Sequence, residues 1–180
     1  MRRIRALVAI VAVVVSATAT TVSPMTIERL TQLSEVIVEG TVGSSWAAWD
    51  PQHTTIITYS KFRVRSALKG STAETIMVKQ IGGHADGYTV RVAGVRYLQP
   101  GEQHVLFLHP SHAADGSFVI AGLNQGDFRV HRTTTEARVS NGVSGAHTYQ
   151  RVYGVAQEEF APTGMSLSQL EQRVRQAEAQ

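Results

Sequence analysis

The chain has 180 residues, of which 43% are hydrophobic and 17% charged, and it contains no cysteine. A chain of this length forms one domain by default and buries roughly 70% of its unfolded surface. The composition excludes a fully disordered or collagen-like chain. The missing cysteine excludes disulfides, cysteine-based zinc sites and thiol catalysis. The hydrophobic core therefore has to stabilise the fold without covalent cross-links.

Residues 1–19 have the pattern of a secretory signal. Basic residues come first, an apolar run follows at residues 6–15, and small residues lead to a cleavage site after Ala19. The apolar run is shorter than the about 20 residues that a membrane-spanning helix needs. The sequence therefore predicts an exported protein, periplasmic or secreted, that is not an integral membrane protein.

The net charge of +3 belongs to this leader. Removing Arg2, Arg3 and Arg5 from the 17 basic residues leaves 14, equal to the 14 acidic residues. Binding to nucleic acid depends on a basic excess that neutralises phosphates. The mature chain lacks that excess, and no nucleic-acid partner is expected.

Patterning after the leader predicts a helix and then strands. Ser23 as cap and Pro24 as first residue indicate a short helix inside residues 20–34. From Val36 to Val42 the apolar period becomes two, typical of a strand, and Trp46, Trp49 and the turn at Asp50-Pro51 are expected to break that strand. Further strands are predicted at residues 56–69, 75–80, 88–93, 104–109, 118–123, 127–131 and 135–139.

The end of the chain returns to helical periodicity. Residues 141–165 are polar and rich in glycine and are predicted to form a loop region. A C-terminal helix is predicted at residues 166–180, with a capping box formed by Ser168 and Glu171. The predicted organisation is a signal peptide at residues 1–19, an N-terminal helical segment at 20–34, a β-barrel domain at 35–140, and then the loop and the helix. The fold class is mainly β, a small antiparallel OB-like barrel with a short N-terminal and a C-terminal helix.

Three blocks of sequence carry a resemblance to a known family. SEVIVEGTV, FRVRSALKG and QPGEQHVLFL, within about residues 34–131, resemble the netrin-like domain of the tissue inhibitors of metalloproteinases, and are similar to small exported bacterial proteins. The resemblance implies an OB-like five-stranded barrel with additional strands or helices. Those inhibitors chelate the zinc of the protease through an N-terminal cysteine. No position of this chain matches that motif.

Catalytic and metal-binding patterns are weak. Histidines at positions 84, 104, 109 and 112 are the candidate metal ligands, but their spacing sets no common face, and surface or turn histidines are the favoured interpretation of His84, His104, His109 and His112. Neither a G-x-S-x-G nor an H-E-x-x-H motif occurs. We therefore expect neither a cofactor nor a metal nor an enzymatic activity.

Two groups of residues are candidates for binding. In the strand at residues 56–69, Lys61, Arg63 and Arg65 share one face at about 6.8 Å spacing and form a basic stripe, which could bind an acidic partner or serve as a solvated face. Trp46 and Trp49 could contact a ligand or cap the core.

The sequence predicts an exported, non-enzymatic binding module for an extracytoplasmic protein or a polyanion. The alternatives are a netrin-type protease inhibitor acting through residues 44–51 or 82–87, and a histidine-based metalloprotein.

Overall fold

The computed structural model describes residues 25–93, 95–113, 115–141 and 164–180. The predicted signal peptide lies outside the described residues, as does most of the predicted loop region. The elements in chain order are α1 (Ile27–Leu33), β1 (Val36–Trp49), β2 (Ile56–Lys69), β3 (Thr75–Ile81), β4 (Gly83–Ala85), β5 (Tyr88–Val90), β6 (Gln103–Pro110), β7 (Phe118–Ile120), β8 (Asp127–Arg132), β9 (Ala137–Asn141), β10 (Met165–Ser166) and α2 (Leu167–Glu178).

Five strands close into a barrel. The order is β1-β2-β3-β7-β6, and β6 pairs back onto β1. The closed barrel is compatible with an OB-like fold and confirms the predicted fold class, mainly β with two helices. The expectation of a purely antiparallel barrel is wrong, because β3 and β7 run parallel. The β6–β7 hairpin at Asp115-Gly116 returns β7 between β6 and β3, in the same direction as β3.

Strand β6 also pairs with a strand outside the barrel, and through it the sheet continues. Residues 104–106 pair with β8, and β9 and β10 extend the sheet outward from β8. Alternation along β6 therefore serves two cores: Leu106 and Leu108 face the barrel interior, while Val105 and Phe107 face the two helices. The helix-facing core includes Leu30 of α1, and from α2 Leu167, Leu170 and Val174.

The helices are fixed by caps and by an ion pair. Thr26, not Ser23, caps α1 by accepting a hydrogen bond from the Arg29 amide. The capping box of α2 is Ser166 with Gln169, two residues earlier than predicted, because β10 ends directly at the helix. Nε and Nη2 of Arg173 donate to the two oxygens of the Glu28 carboxylate, each at 2.9 Å, which joins α2 to α1.

Two local expectations about the strands are wrong. Strand β1 continues through Trp46 to Trp49 instead of stopping before them, because it pairs with β2 along its whole second half. The strand predicted at residues 88–93 is shorter, because only Tyr88–Val90 pairs with Gly83–Ala85 in the β4–β5 hairpin. None of the helices that the structure describes is long and apolar enough to cross a bilayer.

Candidate functional site on the outer face of strands β1 to β3

A row of aromatic and cationic side chains crosses the outside of the barrel. Trp46 of β1 lies opposite Tyr59 of β2, and Tyr59 lies opposite Lys79 of β3. The Trp46 and Tyr59 rings stack with centroids 5.7 Å apart and planes at 16°. The Lys79 ammonium lies 5.5 Å from the centroid of the Tyr59 ring, within the range of a cation–π contact. We call the outward side of these three strands the outer sheet face; its side chains are Trp46, Tyr59, Lys61, Arg63, Arg65, Lys79 and Ile81.

The predicted basic stripe belongs to this face. Lys61, Arg63 and Arg65 are all exposed, whereas Phe62 between them is completely buried in the barrel core. The predicted assignment of the two faces of β2 is therefore confirmed. Arg65 lies 3.8 Å from the Glu39 carboxylate. Within the described part of the chain, neither Lys61 nor Arg63 forms an ion pair, so both cations remain available to a ligand.

Large apolar groups are exposed on the same face. Trp46 keeps 43% of its surface and Ile81 keeps 53%. Ile81 lies opposite Ile57, one row along from the Tyr59–Lys79 pair. Contiguous apolar groups rimmed by charges, rather than single exposed ones, are typical of interaction surfaces. The outer sheet face has this character.

Trp49 does not join Trp46. It lies opposite Ile56, whose side chain is buried, and therefore on the other face of β1. Its ring contacts His53 and Tyr88 with centroids 5.4 and 5.6 Å apart. Trp49 thus packs under the β4–β5 hairpin, and the two predicted tryptophan sites have different surroundings.

An ion pair borders the outer sheet face. The Lys79 ammonium donates to the Asp115 carboxylate, which lies in the β6–β7 turn. This hydrogen bond, with a second from the Ser117 hydroxyl, holds the pKa of Asp115 well below its usual range. Asp115 thereby neutralises Lys79, and the unpaired positive charge of the face lies at Lys61 and Arg63.

The four candidate histidines are not brought together. The expectation of a surface or turn histidine is wrong for His104, which is completely buried in β6, with Nδ1 2.5 Å from Asp127 Oδ1 and Nε2 3.2 Å from Glu102 Oε2. His84 Nδ1 contacts the Thr89 hydroxyl. His109 lies at the far end of β6 from His104, and His112 is exposed in the following turn. Among the described residues, no group of three or more His, Asp or Glu side chains could hold a metal ion.

Sequence reasoning missed the charged network around His104. Arg96 Nη2 donates to Asp127 Oδ2 at 2.8 Å, and Arg129 Nη2 lies 2.9 Å from Glu102 Oε1. Both ring nitrogens of His104 are occupied by carboxylates, so neither is available to a substrate or a metal. The alternation of QHVLFLH already places His104 on the inward phase with Leu106 and Leu108, but the partner on β8 comes from the fold.

A shallow cleft of about 560 Å³ lies between residues 100–103 and 129–132. Its arginines are already paired: Arg129 binds Glu102, and Arg132 binds the buried Glu39 and the Gln103 side chain. The charges of the cleft therefore satisfy one another. The outer sheet face has exposed Trp46 and two cations without an ion-pair partner among the described residues, and is the stronger candidate for binding.

No protein-family model matches this chain, and none of the curated proteins is significantly similar to it.

Proposed function

We propose that this protein is an exported, non-enzymatic binding module that holds an acidic protein partner on its outer sheet face. The observation that carries the proposal is the stacked Trp46–Tyr59 pair, with Trp46 exposed and Tyr59 half-buried, beside Lys61 and Arg63, which form no ion pair with any described residue. Aromatic residues with positive charge at their border are enriched where proteins bind each other. Opposite charge on the partner raises the rate and the specificity of association.

The position of the face supports the proposal by analogy. In OB-type barrels the surface of the second and third strands, between the loops that flank it, is a recurrent ligand-binding surface. Here Tyr59, Lys61 and Lys79 lie on β2 and β3. The β6–β7 turn borders them through Asp115. The resemblance of the sequence to netrin-like domains implies the same kind of barrel, and we include a netrin-like identity in this proposal.

Site-specific photo-crosslinking tests the proposal. A photoreactive amino acid replaces Thr75, an exposed residue of β3 opposite Arg63, in the protein as exported by its own cells, and a control chain carries it at Gln172, an exposed position of α2. We expect a discrete protein adduct from position 75, absent from position 172 and lost when Trp46→Ala is added. Equal adducts at both positions, or none at position 75, would contradict the proposal.

A polyanion is the alternative ligand class. Retention on a sulfated polysaccharide, weakened by salt and abolished by Lys61→Gln with Arg63→Gln, would favour it if no protein adduct forms.

Export itself is tested by the N-terminus of the protein collected outside the cytoplasm, which begins at Thr20 if the leader is cleaved after Ala19.

A netrin-type protease inhibitor is a second candidate, and one observation favours it. The β4–β5 hairpin presents Tyr88 with 64% of its surface exposed, beside a turn in which Asp86 has a positive φ of 50°. Projecting turns of this kind could enter a protease cleft. Titration against a panel of secreted metalloproteases decides: inhibition that Tyr88→Ala weakens supports this function, and none at micromolar protein dismisses it.

A further inference from the structure

Strand β1 has two different halves. Residues 37–41 pair with β2 on one side and with β6 on the other. The second contact ends at Val42, whose amide donates to the Glu102 carbonyl and whose carbonyl accepts from the Gly101 amide. Beyond Val42 the register with β2 shifts, and residues 44–49 pair with β2 and with no other described strand. Among the described residues, the second half of β1 is therefore an edge strand in an otherwise closed barrel.

The direction of the free backbone groups follows from β2. The Ile56 carbonyl accepts from the Gly82 amide, and the Val64 amide donates to the Glu74 carbonyl, so even-numbered residues of β2 direct their peptide groups toward β3. Odd-numbered residues of β2 consequently bond to β1. Alternate residues of an antiparallel strand bond to opposite sides.

Ser45 and Ala47 of β1 lie opposite the even-numbered Ser60 and Thr58. Their amides and carbonyls therefore point away from β2. In the part of the chain that the structure describes, no hydrogen bond to those backbone groups is present. Each of these residues offers a donor and an acceptor to a further strand.

The edge segment carries no protective side chains. Proteins shield free edges with charged side chains, proline, bulges, very short strands or a covering loop, because an open edge pairs with any available extended chain. This segment reads SSWAAW, with neither charge nor proline until Asp50-Pro51 ends it, and the bulge lies only at its start, between Val42 and Ser44. Among the described residues, an uncharged edge therefore stays unpaired over residues 44–49, and strand addition uses such an edge.

Charge beside the edge selects the partner. Lys61 lies opposite Ser44, and Nε of Arg63 is 3.9 Å from the position that a Cβ on Gly43 would take. Exposed Trp46 follows on the same outward side. A strand added here would place outward side chains first beside two unpaired cations and then beside an indole ring.

We propose that residues 44–49 of β1 bind an extended, acidic segment of the partner protein as an additional strand of the sheet. Backbone hydrogen bonds to Ser45 and Ala47 supply affinity, while carboxylates beside Lys61 and Arg63 and an apolar side chain on Trp46 supply specificity. This inference rests on the proposed function, since it names how the partner is held.

Selection from a phage-displayed library of random linear peptides, followed by N-methylation, tests the inference. We expect selected peptides to alternate apolar residues with Asp or Glu. Methylating the peptide amides that point toward β1 should weaken binding by about tenfold or more, because at least two backbone hydrogen bonds are lost. Methylating the amides of the opposite phase, which point to solvent, is the matched control and should change little.

A change in the protein gives an independent measurement. Ala47→Pro removes an outward amide that has no partner within the described residues, a position where an edge strand tolerates proline. This variant should keep the cooperative melt of the wild type and lose the peptides. If it fails to fold, the comparison of the two methylation phases still decides.

Three outcomes would overturn the inference. Equal loss from both methylation phases, with binding still abolished by Trp46→Ala, would mean that the outer sheet face binds without strand addition, and the proposed function would survive. If the wild-type protein selects only peptides that the folded Ala47→Pro variant also selects, a binding site for an extended peptide at this edge is excluded. A concentration-dependent dimer that Ala47→Pro dissociates would identify a second copy of this chain as the occupant.

Discussion

At the scale of single residues, the buried carboxylate Asp127 binds two partners from different segments. His104 and Arg96 both contact it, and the side chains of Asp127 and His104 are completely buried. A buried charge is tolerated only when every partner is in place, because taking a lone charge out of water costs several kcal/mol. The network therefore has a structural role: Asp127 joins β8 to His104 of β6 and to Arg96.

Asp127→Ala should destabilise the protein by about 3–5 kcal/mol, because it leaves Arg96 and Nδ1 of the buried His104 without their carboxylate partner. Urea denaturation measures the change in the free energy of unfolding. Asp115→Ala is the matched control: it removes an aspartate whose side chain is 44% exposed, so water can replace part of the lost contacts and the cost should be well below that of Asp127→Ala. Equal losses in the two variants would contradict the structural role of Asp127.

The two faces of β2 give a second comparison. Phe62→Ala should cost about 3–5 kcal/mol, since the ring is completely buried in the barrel core. Lys61, Arg63 and Arg65 replaced together by Gln should change stability by no more than about 0.5 kcal/mol for each exposed site. Thermal melts followed by circular dichroism distinguish the two variants. Severe unfolding of the triple variant would show that the stripe has a structural role.

Asp115 gives a dependence on pH whose sign is set by its pKa. The Lys79 ammonium, and then the Ser117 hydroxyl, lower that pKa from its ordinary value of 3.8. A carboxyl with a lowered pKa in the folded state contributes its stability in full above the ordinary value. The contribution declines as the pH falls below that value and is gone below the folded pKa.

Carboxyl NMR titration of Asp115 should therefore find a midpoint below 3.8, and Lys79→Met should move it upward. Asp50 provides the control, because the Thr54 hydroxyl and the Thr55 amide, not a lysine, lower its pKa. An unchanged Asp115 midpoint in Lys79→Met, or an equal shift of Asp50, would contradict this assignment.

At the scale of elements, alternation predicted the strands that face water on one side. β2 was predictable over residues 56–69 because one phase is apolar around Phe62 and the other is basic. The second half of β1 was not, since SSWAAW has no polar phase and its strand form comes from pairing with β2. The capping box lies at Ser166 and Gln169 rather than at Ser168 and Glu171, because β10 pairs with β9 up to Ser166 and the helix begins at the next residue.

The sequence also predicted only a part of the candidate site. Lys61, Arg63 and Arg65 follow from the period of one strand, as does their exposure. Tyr59 stacked on Trp46, and Lys79 above it, depend on the register of β2 with both neighbours, which local pattern does not determine. The open edge at Ser45 and Ala47 depends on where β6 stops pairing with β1. Sequence thus indicates the face, and topology supplies its aromatic row and its free backbone groups.

At the scale of the whole molecule, two cores share one strand. The barrel core contains Leu106 and Leu108, and the helix-facing core contains Val105 and Phe107. Phe107 and Phe128 contact each other in the helix-facing core with ring centroids 5.4 Å apart. Loss of either core would expose one side of β6 and remove its partners. The two cores should therefore unfold together, despite lying on opposite sides of the sheet.

Leu170→Ala tests this coupling from the far end of the chain. Leu170 of α2 is completely buried in the helix-facing core, so truncation should cost about 2–5 kcal/mol. Tryptophan fluorescence reports on the barrel, because Trp46 and Trp49 both lie on β1, while far-ultraviolet circular dichroism reports on helices and strands together. In urea the two signals should keep a common midpoint in the wild type and shift together in Leu170→Ala, as a two-state transition requires. A dichroism change that precedes the fluorescence change would show that the helix-facing core melts independently while the barrel and its outer sheet face remain folded.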